Sequence, residues 1–535
     1  MANTICFLLL KDGVKMRKNI KVYAKGKYVE KEINYIPVRY IVAVLLTIFE
    51  IAAIIGVLVL LAIYIPYFYL AIYLTVFGVI IAIIASNENP DYKVPWLLFV
   101  ITLPIVGFML YFLFHERKLP KRIVKRLDKM KKSLTYDDQN KLILLKNKDP
   151  LIYSQAYQLT KIADTHLYQN TKLKYYSLGE EVHQDILKEL SKAQKFIFLE
   201  YFIIEEGIFW NSILEILKEK AEKGIEIKVI YDDIGCMGTL PGHYYKQLAK
   251  YNIQAVPFSK LKGQADGEFN NRSHRKILVI DGLVGFTGGV NIADEYINEK
   301  LVYGHWKDTG LMLKGKAVNE LTKLFLTDYY INIKEEPDFS FDQYYVAQDA
   351  LCNSYVIPFG DGPYPIYDKN IGKTVIMNIL NHATKYVYIN TPYLIIDNEL
   401  FKAIENASLR GVDVRITVPH IPDKKLVFEM TKSNYELLIK SKVKIYEYEP
   451  GFIHAKSYIS DDKVGMIGTI NLDYRSLTHH FENGVWIYDD EVIKEMKKDY
   501  LKTIGKSIYM NEVKIKNGIT KRFLRSIIRI FAPLL

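Results

Sequence analysis

Cysteine is almost missing from this chain. Among its 535 residues only Cys6, Cys236 and Cys352 carry a thiol, and they lie far apart in the sequence. The closely spaced pairs that mark structural zinc sites do not occur, and three thiols are too few for a disulfide framework. The sequence therefore predicts neither a thiolate metal site nor a disulfide scaffold, and it fits a compartment that keeps thiols reduced.

A secretory signal pattern is also lacking at the start of the sequence. The apolar stretch at residues 7–10 is too short for a signal-peptide core, and no basic segment leads into it. Acidic residues are outnumbered, because 71 Lys and Arg stand against 60 Asp and Glu, which gives a formal net charge of +11. Such an excess suits two kinds of partner, a nucleic acid or an anionic membrane surface.

Charge is nearly absent from residues 40–86, where Glu50 is the one charged side chain. A single helix over this stretch would be about 70 Å long, roughly twice the thickness of a membrane. The helix must therefore break. Pro66 is the expected place, because it stands among tyrosines and a phenylalanine of the kind that line a membrane interface.

The apolar segments form a predicted transmembrane region at residues 40–114, with helices over 40–63 and 67–86 and a third apolar run over 94–114. The stretches on either side, residues 1–39 and 115–132, each carry nine Lys and Arg. The positive-inside rule places both flanks in the cytoplasm. Three full spans would put them on opposite sides, so either one segment is re-entrant or one flank breaks the rule. We expect a multi-pass protein of the cell membrane with a cytoplasmic catalytic part.

One polar pattern occurs twice in the chain, with the two copies 180 residues apart. In one-letter code both copies read H-x-K-x4-D-x6-G-[GT]-x-N. Four fixed polar residue types at matched spacings, twice in one chain, are far beyond chance. The fixed polar positions are His274, Lys276, Asp281 and Asn291 in the first copy and His454, Lys456, Asp461 and Asn471 in the second.

The spacing of this pattern has a physical interpretation. A histidine and a lysine two positions apart fall on the same face of a strand, and the apolar run Ile277–Ile280 is typical of a buried strand. The small residues Gly288–Gly289 and Gly468–Thr469 let the backbone approach a ligand closely, and the asparagine that follows offers amide donors. Two copies that face each other would supply paired imidazoles, ammonium groups and amides, a set that suits a tetrahedral phosphate.

The repeated frame resembles the HKD signature of the phospholipase D superfamily, and the surrounding sequence is similar to bacterial cardiolipin synthases. The similar stretches are 271–276, 285–292 and 305–309 in the first half and 450–456, 471–476 and 481–483 in the second. The resemblance covers nearly the whole chain, and one departure is Gly310, where the family often has histidine. It implies an α/β fold with two pseudo-symmetric phospholipase D-like halves around one active site, preceded by N-terminal transmembrane helices.

Alternating strand and helix patterns after residue 150 support two such halves. The strands predicted at 195–202 and 385–389 are each followed by a helical pattern, a glycine and a second strand. Gly224 and Gly411 stand where a glycine commonly ends a helix. We expect six segments: a basic N-terminal segment (1–39), the transmembrane region (40–114), a basic linker (115–150), the two halves (151–345 and 346–512) and a basic amphipathic tail (513–535).

The paired histidines predict covalent phosphoryl chemistry. One neutral imidazole attacks phosphorus, while the other, protonated, donates to the leaving oxygen. The motif lysines and asparagines are expected to hold the non-bridging oxygens as charge builds in the transition state. The two copies are too alike for the sequence itself to order the histidines. The resemblance makes His274 the nucleophile and His454 the general acid and then base.

Four carboxylates complete the predicted site. Asp308 and Glu482 lie 34 and 28 residues downstream of their motif histidines, in contexts like those of the family, and are assigned to orient the second ring nitrogen of each histidine. Asp281 and Asp461 belong to the repeated frame and are therefore catalytic candidates. The role we favour for them is to stabilise the turns. Neither a metal nor another cofactor is expected.

The resemblance implies a cardiolipin synthase that moves a phosphatidyl group from one phosphatidylglycerol to another and releases glycerol. Within the same fold the alternative is a phospholipase D hydrolase that admits water. A nucleic-acid-cleaving or nucleic-acid-binding member, or a membrane scaffold with a dead site, would belong to other classes. The membrane segments argue against a protein that cleaves or binds nucleic acid. The intact motifs argue against a scaffold with a dead site. Anionic lipids are thus the expected partners, with a helical tail at 520–535 that lies on the membrane or docks on the protein core. The oligomeric state stays open.

Overall fold

The computed structural model describes most of the chain. The described residues are 16–24, 27–35, 38–64, 66–86, 89–114, 139–260, 271–333, 342–346, 352, 354–364, 366–513 and 518–534. Most of the predicted basic linker, residues 115–138, lies outside them, as does the apolar stretch at residues 7–10. The chain divides into two compact units.

The first unit contains a strand hairpin, the apolar helices and the C-terminal helix. Strands β1 (Met16–Ala24) and β2 (Lys27–Tyr35) pair in antiparallel register. The helices are α1 (Val38–Tyr64), α2 (Pro66–Ala85), α3 (Pro90–Thr102), α4 (Pro104–Phe114) and, at the other end of the chain, α16 (Ile519–Phe531). The break predicted at Pro66 is present, because α1 ends at Tyr64 and α2 begins at that proline.

Helix α1 has the properties of a membrane helix. Most of its apolar side chains are exposed, and Phe49 is 71% exposed. Within the described residues, the stretch Val44–Ile63 is the one helix long and apolar enough to cross a membrane, with a mean hydropathy of 2.9. The apolar part of α2, Tyr69–Ala85, is shorter. Membrane association is consistent with this arrangement, whereas the predicted multi-pass transmembrane region is not confirmed.

The third apolar run is not one continuous helix. Its two helices, α3 and α4, have 13 and 11 residues, which correspond to about 20 Å and about 17 Å, and each is shorter than the ~30 Å hydrocarbon core. The break falls between Thr102 and Pro104. Close packing of the two helices requires Gly107, because a Cβ at that position would lie 2.2 Å from the carbonyl oxygen of Phe99.

The predicted amphipathic tail forms helix α16 and packs within the first unit. The ring of Phe531 lies 5.1 Å from the ring of Phe99, centroid to centroid. Leu534 packs against the same apolar cluster, which includes Val76 and Leu110. Phe523, on the preceding part of α16, is 68% exposed. The end of the tail is therefore docked on the apolar helices.

The second unit holds two sheets of matching topology, one in each predicted half. The first sheet contains β3 (Thr171–Tyr176), β4 (Phe196–Tyr201), β5 (Glu226–Asp232), β6 (Gln254–Phe258), β7 (Lys276–Ile280), β8 (Val284–Gly288) and β10 (Gly310–Gly315). The second contains β11 (Tyr355–Asp361), β12 (Tyr386–Asn390), β14 (Asp413–Pro419), β15 (Lys444–Tyr448), β17 (Ser457–Ser460), β18 (Val464–Gly468), β20 (Glu482–Tyr488) and β21 (Ser507–Tyr509).

The strand orders make the pseudo-symmetry explicit. The first sheet has the order β3-β10-β8-β7-β4-β5-β6 and the second β11-β20-β18-β17-β12-β14-β15-β21. Seven strands therefore correspond one to one, and β21 is an addition at one edge. Shorter strands are β9 (His305–Lys307), β13 (Leu394–Ile395), β16 (Gly451–Ile453) and β19 (Leu472–Asp473).

Helices cover both faces of the sheets. They are α5 (Gln139–Lys148), α6 (Pro150–Ala163), α7 (Gly179–Leu190), α8 (Ile208–Glu222), α9 (Tyr244–Ala249), α10 (Val318–Asn332), α11 (Ile371–His382), α12 (Asn398–Leu409), α13 (Lys425–Lys440), α14 (Tyr474–Thr478) and α15 (Glu491–Ile504). The predicted glycine stops are present, since Gly224 and Gly411 follow α8 and α12 with φ of +80° and +91°.

A shared core joins the two halves. Inward side chains of both sheets, such as Phe198 and Tyr388, belong to one buried cluster together with Phe325 of α10 and Tyr500 of α15. Each sheet has a separate core on its outer face. Helix α6 precedes the first sheet in sequence, yet its Leu159 lies in the outer core of the second sheet. The second unit is thus a layered α/β structure in which the halves interlock.

Candidate active site

The two motif histidines lie where short backbone bridges tie the halves together. The backbone N–H of His274 donates to the carbonyl oxygen of Phe481 at 2.8 Å, and that of His454 donates to the carbonyl oxygen of Lys307 at 2.7 Å. Strands β9 and β16 extend the second bridge as a parallel pair. Each histidine therefore sits against the backbone of the opposite half, immediately before its own buried strand, β7 or β17.

His274 is held by a carboxylate from the second half. Its Nδ1 lies 3.0 Å from each oxygen of Glu482. That carboxylate is fully buried and also accepts hydrogen bonds from the hydroxyls of Ser476, at 2.6 Å, and Thr469. Because both carboxylate oxygens are fixed, the Nδ1–H tautomer is favoured and the Nε2 lone pair of His274 stays available.

His454 has the mirror-image arrangement with a carboxylate from the first half. Its Nδ1 lies 2.7 Å from Oδ2 of Asp308, which is also fully buried. The other oxygen of Asp308 accepts the backbone N–H of Thr309 at 2.7 Å. The two carboxylates assigned from the sequence as orienting groups thus contact the histidines in a crossed pattern, each bonding the histidine of the other half.

The motif lysines are buried beside the histidines. The ammonium groups of Lys276 and Lys456 donate to the backbone carbonyls of His274 and His454, the first at 2.7 Å. Burial and the neighbouring charge of Lys456 hold the pKa of Lys276 well below its usual range. Burial also lowers the pKa of Lys456 to about 8, against the opposing effect of Asp308. The positive charges of the two lysines therefore repel each other, and a bound anion would offset this repulsion.

The same burial keeps both imidazoles neutral at neutral pH. Burial lowers the pKa of His274 to about 3 and that of His454 to about 4, although Glu482 and Asp308 act in the opposite direction. Burial alone would raise the pKa of the Glu482 carboxyl, but the charge and hydrogen bond of His274 hold it well below its usual range. Each pair therefore consists of an ionised carboxylate and a neutral imidazole with its Nε2 lone pair exposed.

The two motif asparagines are buried but differ in their contacts. Asn291 accepts the backbone N–H of Ile203 at 3.1 Å through Oδ1 and donates through Nδ2 to the hydroxyl of Tyr296 at 2.7 Å. The backbone N–H of Asn471 donates to Ser476 Oγ at 2.8 Å, and its side-chain oxygen has no hydrogen-bond partner among the described residues. Asn291 thus fixes a loop with one amide hydrogen to spare, whereas the Asn471 amide is less constrained.

Asp281 and Asp461 lie at the opposite ends of β7 and β17 from the histidines. Asp281 lies five positions after Lys276, which is about 16 Å along the strand at the usual rise. Asp281 accepts the backbone N–H groups of Gln194–Phe196, and Asp461 accepts those of Thr384–Tyr386, at 2.7–2.9 Å. Both have positive φ, +54° and +56°. These contacts stabilise turns and leave neither carboxylate in the histidine cluster.

The small residues of the motif serve the orienting carboxylates. A Cβ at Gly289 would lie 2.0 Å from Oδ1 of Asp308, so glycine is needed for the close approach. Thr469 occupies the matching position of the second half and instead donates its hydroxyl to Glu482. The sequence predicts that these small residues let the backbone approach a ligand. In the structure they instead contact Asp308 and Glu482, the carboxylates bonded to the histidines.

Aromatic side chains around the histidines were not found by sequence reasoning. Phe202 and His480 lie 5.2 Å and 5.7 Å from the His274 ring, centroid to centroid. Tyr296, Trp306 and Phe452 lie 5.4–5.9 Å from the His454 ring. The indole N–H of Trp306 is buried without a hydrogen-bond partner among the described residues. Trp306 and Phe452 stand within segments that resemble the family, whereas Phe202, at the end of a predicted strand, gave no signal of its own.

Two buried arginines, one before and one after the first histidine in sequence, fix the backbone around it. Arg272 makes hydrogen bonds of 2.9–3.1 Å to Asp232, and Arg275 donates to Asp328 at 2.6 Å and to the backbone carbonyl oxygen of Glu482 at 3.0 Å. Because both arginines are almost fully buried, their ion pairs fix the backbone on either side of His274. The result is a largely buried site, in which His274 and His454 are each 6% exposed.

Comparison with known families places this site in context. The family model described as cardiolipin synthase, PLD-like domain, matches residues 186–326 and 376–504. Residues 73–114 match the model described as phospholipase D-nuclease N-terminal.

Two relatives cover most of the chain. An uncharacterized protein of Streptococcus mutans is 40% identical over 465 residues, 86% of this chain and 100% of the relative. A cardiolipin synthase of Alkalihalophilus pseudofirmus is 31% identical over 477 residues, 86% of this chain and 92% of the relative.

A solved structure shares the fold. The phosphatidylserine synthase of Haemophilus influenzae superposes with a TM-score of 0.55 at 16% identity, over 71% of this chain and 100% of that one. The mixed α/β architecture with two phospholipase D-like halves is thus confirmed. With two family-model matches in the two halves and a close cardiolipin synthase relative, the chain belongs to the bacterial cardiolipin synthase family of the phospholipase D superfamily and is a phosphatidyltransferase.

Proposed function

We propose that this enzyme makes cardiolipin from two molecules of phosphatidylglycerol and releases glycerol, through a phosphatidyl-histidine intermediate on His274. The observation that carries the proposal is the pair of crossed histidine–carboxylate contacts, His274 with Glu482 and His454 with Asp308, beside two buried lysines. This set offers one nucleophile, one acid–base group and two cations to a single phosphodiester.

In the first step the Nε2 lone pair of His274 attacks phosphorus. A P–N bond forms and the bond between phosphorus and the glycerol oxygen breaks, while His454 Nε2–H gives its proton to that oxygen. Lys276 and Lys456 would hold the non-bridging oxygens, and the free amide hydrogens of Asn291 and Asn471 would add to this cradle. The indole N–H of Trp306 is a further donor on the His454 side.

Substrate binding itself would favour protonation of His454, which this step requires. In the free protein the pKa of His454 is lowered to about 4 by burial and by Lys456. A phosphodiester brings a negative charge between the lysines, which offsets their effect and favours the protonated imidazole. Neutral His274 is already suited to attack. The two histidines thereby take different protonation states from nearly equal starting environments.

In the second step a hydroxyl of another phosphatidylglycerol replaces glycerol. The now neutral His454 accepts the proton of that hydroxyl, the alkoxide attacks phosphorus and the P–N bond to His274 breaks. The bond formed resembles the bond broken in the first step, so the whole exchange is nearly thermoneutral and reversible. Hydrolysis would follow the same path with water as the acceptor, and the low exposure of the site, with its aromatic walls, supports a lipid acceptor instead.

We also propose that the first unit holds the enzyme in the membrane with two spans and a re-entrant pair, α3 and α4. The spans are α1 and the whole of α2, because the 20 residues of α2 correspond to about 30 Å even though its most apolar part, Tyr69–Ala85, is shorter. The short, mutually packed α3 and α4 support this arrangement, because neither helix matches the membrane thickness. With two spans and a re-entrant pair the chain leaves the membrane on the side from which it entered. Both basic flanks then lie in the cytoplasm with the catalytic part. Phosphatidylglycerol and other anionic lipids are the partners.

The test is product analysis with pure phosphatidylglycerol in mixed vesicles. We expect cardiolipin and free glycerol in equal amounts, little phosphatidic acid, reversal by added glycerol, and little effect of a chelator. The His274→Ala variant should lose both turnover and the covalent label on the enzyme, which is trapped at alkaline pH because acid cleaves a P–N bond to histidine. His420→Ala, at a half-exposed histidine bonded to Glu447, should retain both. Phosphatidic acid as the main product, with no response to glycerol, would overturn the synthase proposal in favour of the hydrolase.

A further inference from the structure

A third histidine, His480, stands beside the His274–Glu482 pair with no role in the transfer reaction described above. Its Nδ1 is shielded from solvent and lies 3.7 Å from Oε1 of Glu482, which is too long for a hydrogen bond. The candidate ligand atoms of His274, His480 and Glu482 all lie within 4.8 Å of one another. Two imidazoles and a carboxylate are a donor set that binds zinc in other proteins.

Two distances within this cluster lie close to those around a tetrahedral zinc ion. Two ligand atoms, each about 2.0–2.1 Å from a tetrahedral ion, lie about 3.4 Å apart. The observed separations from Glu482 Oε1, 3.0 Å to Nδ1 of His274 and 3.7 Å to Nδ1 of His480, fall on either side of that value. The donor atoms of the two histidines lie within 4.8 Å of each other, so rotation of the rings that shortens this separation would complete the set.

The carboxylate in the middle of the cluster is already oriented. Ser476 and Thr469 donate hydroxyl hydrogen bonds to its two oxygens. Such outer contacts fix a ligand carboxylate in metal sites and raise the affinity. The nearby ammonium groups of Lys276 and Lys456 oppose a divalent cation, so the site would bind a metal with modest affinity.

We propose that His274, His480 and Glu482 form an inhibitory zinc-binding site, in which the metal takes Nδ1 of the nucleophilic histidine. A neutral imidazole bound to metal through Nδ1 carries its one proton on Nε2. The lone pair that attacks phosphorus is then lost, and Glu482 no longer orients the ring. Zinc therefore inhibits by changing the tautomer of His274. This inhibition rests on the proposed role of His274, whereas metal binding does not.

The experiment uses the full-length enzyme in detergent, with cobalt(II) as a visible probe and zinc as the competing ion. We expect one equivalent of cobalt to give the ligand-field absorption of a four-coordinate site, and zinc to displace it and stop turnover. Removal of one ligand should raise the half-inhibitory zinc concentration about tenfold or more. The variants are His480→Phe, which keeps a ring beside His274, and His480→Asn, which keeps a polar group.

The matched control is His420→Phe, because His420 faces one carboxylate, Glu447, at 2.8 Å and has no role in the site. It should bind cobalt and respond to zinc as the unmodified enzyme does. Cobalt absorption and zinc inhibition that persist in both folded His480 variants would overturn the proposal, as would absence of the absorption in an enzyme that turns over normally. Cobalt binding that depends on His480 but leaves turnover intact would refute the inhibitory role and, with it, the assignment of His274 as nucleophile.

Discussion

The crossed contacts predict that each orienting carboxylate controls the chemistry of the histidine in the other half. Asp308 contacts His454, so Asp308→Asn should impair the acid–base steps, and Glu482 contacts His274, so Glu482→Gln should impair the nucleophilic step. Both replacements keep the shape of the side chain and remove its charge. The two variants therefore separate two functions that lie side by side in the same site.

The size of the effect follows from the contacts. A hydrogen bond to a charged group contributes about 1.5–3 kcal/mol, which corresponds to about a tenfold to 150-fold change in rate. An amide can also turn its NH2 toward the imidazole and stabilise the wrong tautomer, which raises the loss to the order of 10⁴-fold. We expect turnover of phosphatidylglycerol to fall within this range in both variants, because in the proposed mechanism the departure of glycerol uses both histidines.

A p-nitrophenyl ester of phosphatidic acid separates the steps. Nitrophenolate leaves without a proton, so formation of the phosphatidyl-enzyme from this substrate does not need His454. Asp308→Asn should therefore release about one equivalent of nitrophenolate per active site in a burst and then stall. Glu482→Gln should show no burst. An exposed carboxylate, Glu491, provides the matched control, because Glu491→Gln should behave like the unmodified enzyme.

The refuting result is specific. A burst that survives in Glu482→Gln and disappears in Asp308→Asn, with the label mapped to His274, would mean that each carboxylate serves the histidine of its own half. The same kinetic result with the label on His454 would keep the crossed contacts and reverse the roles of the histidines. A denaturing quench at alkaline pH, which preserves a P–N bond to histidine, followed by peptide mapping of the labelled enzyme distinguishes these outcomes.

Further predictions concern the turns, the pH profile and the membrane topology. Asp461→Ala should lower the free energy of unfolding by about 1–3 kcal/mol, because three N–H groups at Thr384–Tyr386 lose their acceptor and alanine disfavours positive φ. Activity per folded enzyme should hardly change, and a large loss would return Asp461 to the catalytic set. Burial lowers the pKa of Lys456 to about 8, so kcat/KM should fall as the pH rises through that value and the ammonium loses its charge; a profile that is flat well above it would contradict this role. Single cysteines introduced as Lys25→Cys and Met130→Cys, in a background without native cysteines, should react with an impermeant reagent from the same side of sealed vesicles, whereas labelling from opposite sides would exclude the re-entrant pair.

Local patterns in the sequence were sufficient for much of the catalytic unit. The strand predicted over 195–202 is β4 (Phe196–Tyr201), and that predicted over 385–389 is β12 (Tyr386–Asn390). Such segments are readable because buried strands are continuously apolar and glycine ends the intervening helices. The repeated motif likewise required only spacing, since its histidine and lysine lie at the start of a single β-hairpin and its asparagine follows that hairpin.

The membrane region was less predictable because composition does not specify where an apolar stretch turns. The run over 94–114 contains no charge, yet it breaks between Thr102 and Pro104 into helices too short to cross a bilayer. Pro104 could have signalled the break, since proline disfavours a helical residue before it. Contact between Gly107 and Phe99 is a matter of packing, and hydropathy carries no information about it.

The crossed contacts lay beyond local reasoning for a different reason. Asp308 follows the first motif and Glu482 the second, so sequence order associates each with its own half. The backbone bridges from Phe481 to His274 and from Lys307 to His454 reverse this association, because the segment after each motif pairs with the segment before the other histidine. Neither half can therefore complete its own histidine–carboxylate pair. The duplication visible in the sequence is required in the structure, since one site needs an orienting carboxylate from each copy.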